Sequence, residues 1–215
     1  MTGQALLSAR GLCRDFRGFR AVDRVDLDVV DGTVHALVGP NGAGKTTLFN
    51  LLTGFLRPTG GRIELAGRDI TGLPPEKVAR LGVARSFQIT SLFPQLTAQE
   101  HVELALQSPS GLGWQFWRSA RLMRRYSDRA RELLDTVGLA EVADVPADAL
   151  AYGRKRALEL AIALALEPRV LLLDEPTAGM GLEDVDRTVE LIAHVRQGRT
   201  VVMVEHNMSV VGRLA

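Results

Sequence analysis

Apolar residues recur along this chain with two periods, and the switches between them divide it into elements. Near the amino terminus Leu6 and Leu7, then Val22, Val25, Leu27 and Val29, sit in short runs with roughly alternating polar partners. That spacing predicts two antiparallel strands with one wet face. Asp31-Gly32 turns the chain into a strand over 33–38, and a helix follows over 46–53. Arg57-Pro58-Thr59-Gly60-Gly61 closes that unit ahead of a strand over 62–65. Pro74-Pro75 precedes a short helix over 76–81, in keeping with proline at a helix start. A strand over 83–87 ends at Gln88, where the composition turns from strand-like to helical. A helix over 97–107 opens with Thr97 and Glu100 at the spacing of a capping box. The longest helix carries Met123, Tyr126, Ala130, Leu133, Leu134 and Val137 on one face and stops at Gly138-Leu139. After Pro146 an apolar helix runs to Leu166. A strand over 169–173 then ends in Asp174-Glu175, the pattern of a strand buried on both faces of a parallel sheet. A helix over 183–197 and a strand over 200–204 repeat the alternation and put His206 just past a strand end.

This order predicts an α/β fold: a core with a mainly parallel sheet, an N-terminal antiparallel β subdomain and a helical subdomain. The core takes residues 1–88 and 161–215, and the helical lobe 89–160. A length of 215 residues suits one such domain with an appended lobe. The 26 Lys and Arg nearly cancel the 25 Asp and Glu, so no overall basic field argues for nucleic acid. Cys13 has no second cysteine to pair with and reads as a small packing residue, and a lone thiol suits a reducing compartment. With no charged-then-apolar leader and no run of 18 uncharged apolar residues, the expectation is a soluble, cytoplasmic protein. Arg118, Arg121, Arg125 and Arg129 fall on another face of the long helix, either simply solvated or meeting phospholipid or an acidic partner. Trp114 and Trp117 beside them read either as a local cluster or as part of a docking surface.

The candidate chemistry lies at strand ends. Leu37-Val38-Gly39-Pro40-Asn41-Gly42-Ala43-Gly44-Lys45-Thr46-Thr47 runs from an apolar strand end through a glycine-rich turn into a helix. Glycines there allow backbone conformations in which successive N–H groups point at an anion. Lys45 supplies a mobile charge for β and γ phosphates, the Thr46 hydroxyl suits Mg²⁺, and the following helix aims its N-terminal partial charge at the same phosphates. In a parallel sheet functional groups gather at the carboxyl ends of strands, so this loop, Asp174-Glu175 and Glu205-His206 are expected to share one crevice. Asp174 then holds Mg²⁺ through water, Glu175 polarises the attacking water, and His206 hydrogen-bonds the γ phosphate. No Asn-Lys-x-Asp segment is present, which argues against a Ras-like GTPase. Phe16 and Phe19 are each candidates to stack on a purine or to cap the sheet edge.

Over nearly its whole length the chain resembles the nucleotide-binding subunits of ATP-binding cassette transporters, which have a P-loop NTPase core. Gly39 to Thr46 corresponds to their Walker A loop, Gln88 to the Q-loop, Leu150 to Arg154 to the signature motif and Leu171 to Glu175 to Walker B. Ala178-Gly179-Met180 stands at the D-loop, His206 at the switch histidine and Phe16 at the adenine-stacking aromatic. The wording Leu150-Ala151-Tyr152-Gly153-Arg154, with Thr177-Ala178-Gly179-Met180 after Walker B, is similar to the branched-chain amino acid importer branch.

The resemblance implies ATP and Mg²⁺ as ligands, with Glu175, His206 and Gln88 catalytic and Thr46, Gln88 and Asp174 at the metal. It also implies a head-to-tail pair of subunits in which Ala151, Tyr152 and Gly153 face the partner's ATP. The implied partners are transmembrane permease subunits, a second cassette of the same or a homologous kind and, indirectly, a periplasmic or extracellular solute-binding protein. Localisation would be peripheral, on the inner face of the cell membrane. The signature lacks the usual serine, so backbone donors around Gly153 are expected to carry more of that contact. Family members usually continue past the switch histidine, so further C-terminal strands are expected beyond Ala215. The rival readings are a cassette ATPase of lipid export, DNA repair or translation, and a nucleotide-binding regulatory module without turnover.

Overall fold

The computed structural model describes residues 5–86, 92–107 and 120–215. In chain order its helices and strands are β1 (Ala5–Phe16), β2 (Phe19–Val30), β3 (Val34–Leu37), α1 (Lys45–Leu52), β4 (Gly60–Leu65), β5 (Arg68–Asp69), α2 (Pro75–Arg80), β6 (Val83–Ser86), α3 (Ala98–Gln107), α4 (Ala120–Thr136), α5 (Tyr152–Ala165), β7 (Val170–Asp174), α6 (Leu182–Val195), β8 (Thr200–Val204) and α7 (Met208–Leu214). Two sheets result. One is antiparallel in the order β2-β1-β4-β5, and the other has the order β3-β8-β7-β6. Every pairing in the second is parallel, as the buried run at the end of the chain predicts.

β1 and β2 are each 12 residues long, more than their apolar runs suggest. Their pairing shifts register between Ala9 and Leu12 and again towards Asp15. Each irregularity changes which side chains face inward, which hides the strand length from a simple period-two reading.

The parallel sheet separates two cores, and the alternation of β7 and β8 shows how. Val170, Leu172, Val202 and Val204 pack with Phe49 and Leu52 of α1 and with Leu7, Leu12 and Ile63 of the antiparallel sheet. Leu171, Leu173, Val201 and Met203 face the other way, onto α5, α6 and α7. Leu171, Leu172 and Leu173 are fully buried, each contributing about 1.5–3 kcal/mol relative to exposure.

The lobe is built on α3, α4 and α5. The capping box forms: the Thr97 N–H donates to Glu100 Oε2 at 2.7 Å, and the Glu100 N–H donates to Thr97 Oγ1 at 3.2 Å. Ala130, Leu133 and Leu134 of α4 are buried, as is Val137 just beyond it, and the chain leaves α4 through Gly138 at φ 71°. On the other face, Arg129 pairs with Glu132 at 2.8 Å and reaches Glu167 at 3.7 Å, which is the behaviour of a solvated residue. Trp114, Trp117 and Arg118 lie outside the described residues. Helix α5 runs unbroken across residue 160, so lobe and core share one helix there. Among the described residues no helix is long and apolar enough to cross a membrane.

Candidate functional site

The glycine loop joins β3 to α1, and its backbone is set by residues without side-chain bulk. Gly42 lies at φ 80° with open space where a Cβ would stand, the environment an approaching anion needs. Gly44 lies at φ 86°, and a Cβ there would come within 2.3 Å of the Ala21 carbonyl, so only glycine fits. The Gly44 carbonyl accepts from the Leu48 N–H at 2.8 Å, and Ala43 N–H donates to Pro40 O at 3.3 Å. Lys45 Nζ donates to the carbonyls of Gly39 at 2.6 Å and Pro40 at 2.8 Å. These bonds hold the ammonium inside the loop, where phosphate oxygens would compete with the two carbonyls for it. Asn41, Gly42, Ala43 and Thr46 are exposed, and Thr47 is half-buried.

Asp174 ends β7 with its side chain wholly buried, and the guanidinium of Arg85, from the neighbouring β6, pairs with its Oδ2. The same guanidinium donates to Asn50 Oδ1 at 2.5 Å and lies 5.6 Å from the Phe49 ring centre. Thr46 and Asn50 are four residues apart on α1 and share a face, so Arg85 bridges that face of the helix and Asp174 through Asn50. Among the described residues Asp174 Oδ1 is buried and makes no hydrogen bond. An oxygen left without a donor beside a polyanion site fits a cation, directly or through water. Arg85 was not singled out from sequence. Its only signal was a charged residue inside a buried strand.

Glu175 follows at φ 47°, a conformation uncommon for residues other than glycine. This turn lets its carboxylate meet His206, whose Nε2 lies 2.8 Å from Glu175 Oε1. β7 and β8 are adjacent and parallel, and the Glu175 N–H donates to the Val204 carbonyl at 3.0 Å, so the two strand ends are tied at this point. Of the crevice expected to gather the glycine loop, Asp174-Glu175 and Glu205-His206, the meeting of Glu175 with His206 is present. His206 contacts Glu175, an interaction the spacing alone did not suggest. Glu205, beside it, is buried and accepts four hydrogen bonds.

Phe16 is partly exposed and carries the Arg14 guanidinium 4.6 Å from its ring centre. That cation lies over one face of the ring. Phe19 is more exposed. In the signature segment Ala151 caps α5 in an extended conformation. A Cβ on Gly153 would stand 3.3 Å from the Asp184 carboxylate. The Tyr152 hydroxyl donates to the Ala178 carbonyl at 3.2 Å and accepts from Arg156 Nη2 at 3.1 Å. Its one proton is thus used within the chain, and it does not replace the absent serine. Arg156 also pairs with Glu159 at 3.0 Å, and burial pushes the Glu159 carboxyl up despite that partner. Gln88 lies outside the described residues.

The family profile described as ABC transporter matches residues 22–178. The chain belongs to the ABC transporter ATPase family. The high-affinity branched-chain amino acid transport ATP-binding protein LivG of Salmonella typhimurium is 41% identical, over 97% of this chain and 84% of LivG. BraF of Pseudomonas aeruginosa, with the same description, is 42% identical over 96% of this chain and 84% of its own length. Among solved structures, the ADP conformation of an ATP-binding cassette of an ABC transporter aligns with a TM-score of 0.86 at 26% identity, covering 98% of this chain and 85% of that one. A dimeric post-hydrolysis cassette bound to ADP and phosphate aligns at 0.80 and 25% identity, covering 95% and 89%. The resemblance read from the motifs is borne out for the family, the branch, the fold and the ATPase class.

Proposed function

We propose that this chain is the ATP-hydrolysing subunit of an importer for branched-chain amino acids, working as one of two cassettes on the cytoplasmic side of two membrane permeases. The kinship with LivG and BraF supports the substrate class. The observation that carries the motor role is the Glu175–His206 pair at 2.8 Å, at the ends of adjacent parallel strands in the sheet whose first strand leads into the glycine loop.

In this reading the backbone N–H groups of residues 41–47 and the Lys45 ammonium bind the β and γ phosphates, and Phe16 stacks on adenine. Glu175 takes a proton from the attacking water as general base. His206 orients that carboxylate and turns a donor toward the γ phosphate when ATP is in place. Mg²⁺ would be held by the Thr46 hydroxyl, Asp174 through its unbonded Oδ1, and Gln88. When bound it supplies neutralisation of charge on the β and γ oxygens. Ala151, Tyr152 and Gly153 meet the ATP of a second cassette through backbone donors. A solute-binding protein outside the membrane delivers the amino acid to the permeases.

Glu175→Gln tests this. The amide keeps shape and hydrogen bonding but cannot accept the proton, so phosphate release falls roughly 10²- to 10⁴-fold. ATP binding survives, and light scattering coupled to size exclusion finds more ATP-bound dimer than for wild type. Unchanged phosphate release removes Glu175 from the mechanism. Lost hydrolysis without a dimer leaves catalysis standing and points to a heterologous partner cassette.

A further inference from the structure

We propose that Glu205 is a positioning residue for hydrolysis, fixing the Glu175–His206 pair by clamping together the two loops that carry it. This rests on the reading of that pair as catalytic.

Glu205 follows the last residue of β8 and is only 3% exposed. Its Oε1 accepts from the Thr177 N–H at 3.2 Å and from Thr177 Oγ1 at 2.5 Å. Its Oε2 accepts from the N–H groups of His206 at 2.9 Å and Asn207 at 3.2 Å. Thr177 stands two residues beyond Glu175, on the loop that leaves β7, and His206 begins the segment leaving β8. One oxygen therefore holds each loop, and the rigid carboxylate sets the distance between them.

The chemistry of the four partners is uniform. All are donors, and a carboxylate is the side chain that only accepts. Burying such a group is unfavourable unless it is fully bonded. The four preceding positions, 201–204, are all apolar and buried, so packing alone calls for another aliphatic residue here. The clamp also reaches the signature helix. Ala178, next to Thr177, accepts the Tyr152 hydroxyl, so the loop held by Glu205 is the one to which α5 is attached.

Glu205→Gln preserves volume but turns an amide NH₂ toward N–H donors on one side. In steady-state hydrolysis by the full chain, kcat falls roughly 10- to 100-fold, the loss expected of a small misplacement of reacting groups. KM for ATP and the affinity for a fluorescent ATP analogue stay within about twofold. Glu205→Asp, which keeps the charge, recovers part of the loss. In a His206→Gln background the substitution costs much less than in wild type, because residues acting as a unit are not additive. A purely structural role would instead raise KM and lower the melting temperature, with equal losses in both backgrounds, and would overturn the proposal. Wild-type kcat in Glu205→Gln would overturn it as well.

If Glu205→Gln does not fold, Thr177→Val decides. It keeps the shape, removes one donor, and is expected to lower kcat roughly 3- to 10-fold at unchanged KM; an unchanged kcat refutes the clamp. Glu175→Gln run alongside separates the failures. Loss of hydrolysis there with none in Glu205→Gln sinks only the role of Glu205, whereas retained hydrolysis in Glu175→Gln sinks the catalytic reading beneath it.

Discussion

Replacing Arg85 by Met should be among the most costly single changes in the core, although sequence marks it only as a strand residue. The guanidinium side chain is 7% exposed and the Asp174 side chain it pairs with is 0% exposed. Met fills much the same volume, so cavity formation contributes little. What remains is a carboxylate stranded in the interior. Removing one partner of a buried ion pair costs about 3–5 kcal/mol. Losing the bond to Asn50 adds about 1 kcal/mol. Together these approach half of the stability of an ordinary domain, about 5–15 kcal/mol. Urea unfolding followed by circular dichroism measures the loss as a lower midpoint with an unchanged slope. The double variant with Asp174→Asn should recover about 2–3 kcal/mol of it, because the two positions are directly coupled. A loss under about 1 kcal/mol would refute the claim that Arg85 neutralises Asp174, as would single losses that simply add in the double variant.

Lys45→Ala should weaken ATP binding by about 3 kcal/mol, two charge-assisted hydrogen bonds at about 1.5 kcal/mol each; titration with a fluorescent ATP analogue checks it, and unchanged affinity would remove the loop from phosphate binding. Phe16→Ala should cost about 1–3 kcal/mol of adenine binding, the range for base–aromatic stacking; if Phe19→Ala is the costly change in the same titration, the stacking residue is the wrong aromatic. His35 Nε2 accepts the Val30 N–H at 3.1 Å, and burial holds the imidazole below its ordinary 6.5. The unfolded chain therefore takes up the proton first, so this contribution to stability is complete above 6.5 and is lost as pH falls through the depressed folded value. Thermal melting from pH 7.5 to 5 should show a slope that flattens in His35→Gln; equal slopes would exclude His35 as its source.

What sequence disclosed depended on whether an interaction was local. The Thr97–Glu100 box, the apolar run into Asp174 and the glycine loop are each written within a few consecutive residues, and the structure holds all three. Arg85 and Asp174 are 89 residues apart and meet only because β6 and β7 are neighbours in the sheet. Thr177 and Glu205 meet for the same reason across β7 and β8. Spacing along a chain carries no trace of such pairs unless the strand order is known. The Tyr152 hydroxyl was hidden differently. Within the signature it read as a residue facing a second subunit, and only the fold brings Ala178 to it.

β7 has neighbours on both edges and a separate core against each face. It cannot slide or tilt without disturbing all four surroundings at once, which places it among the most restrained elements of the sheet. On the proposed reading, the chemistry at Glu175 would take place directly beyond a strand with little freedom to shift, and any turning of the surrounding elements would grow with distance from it.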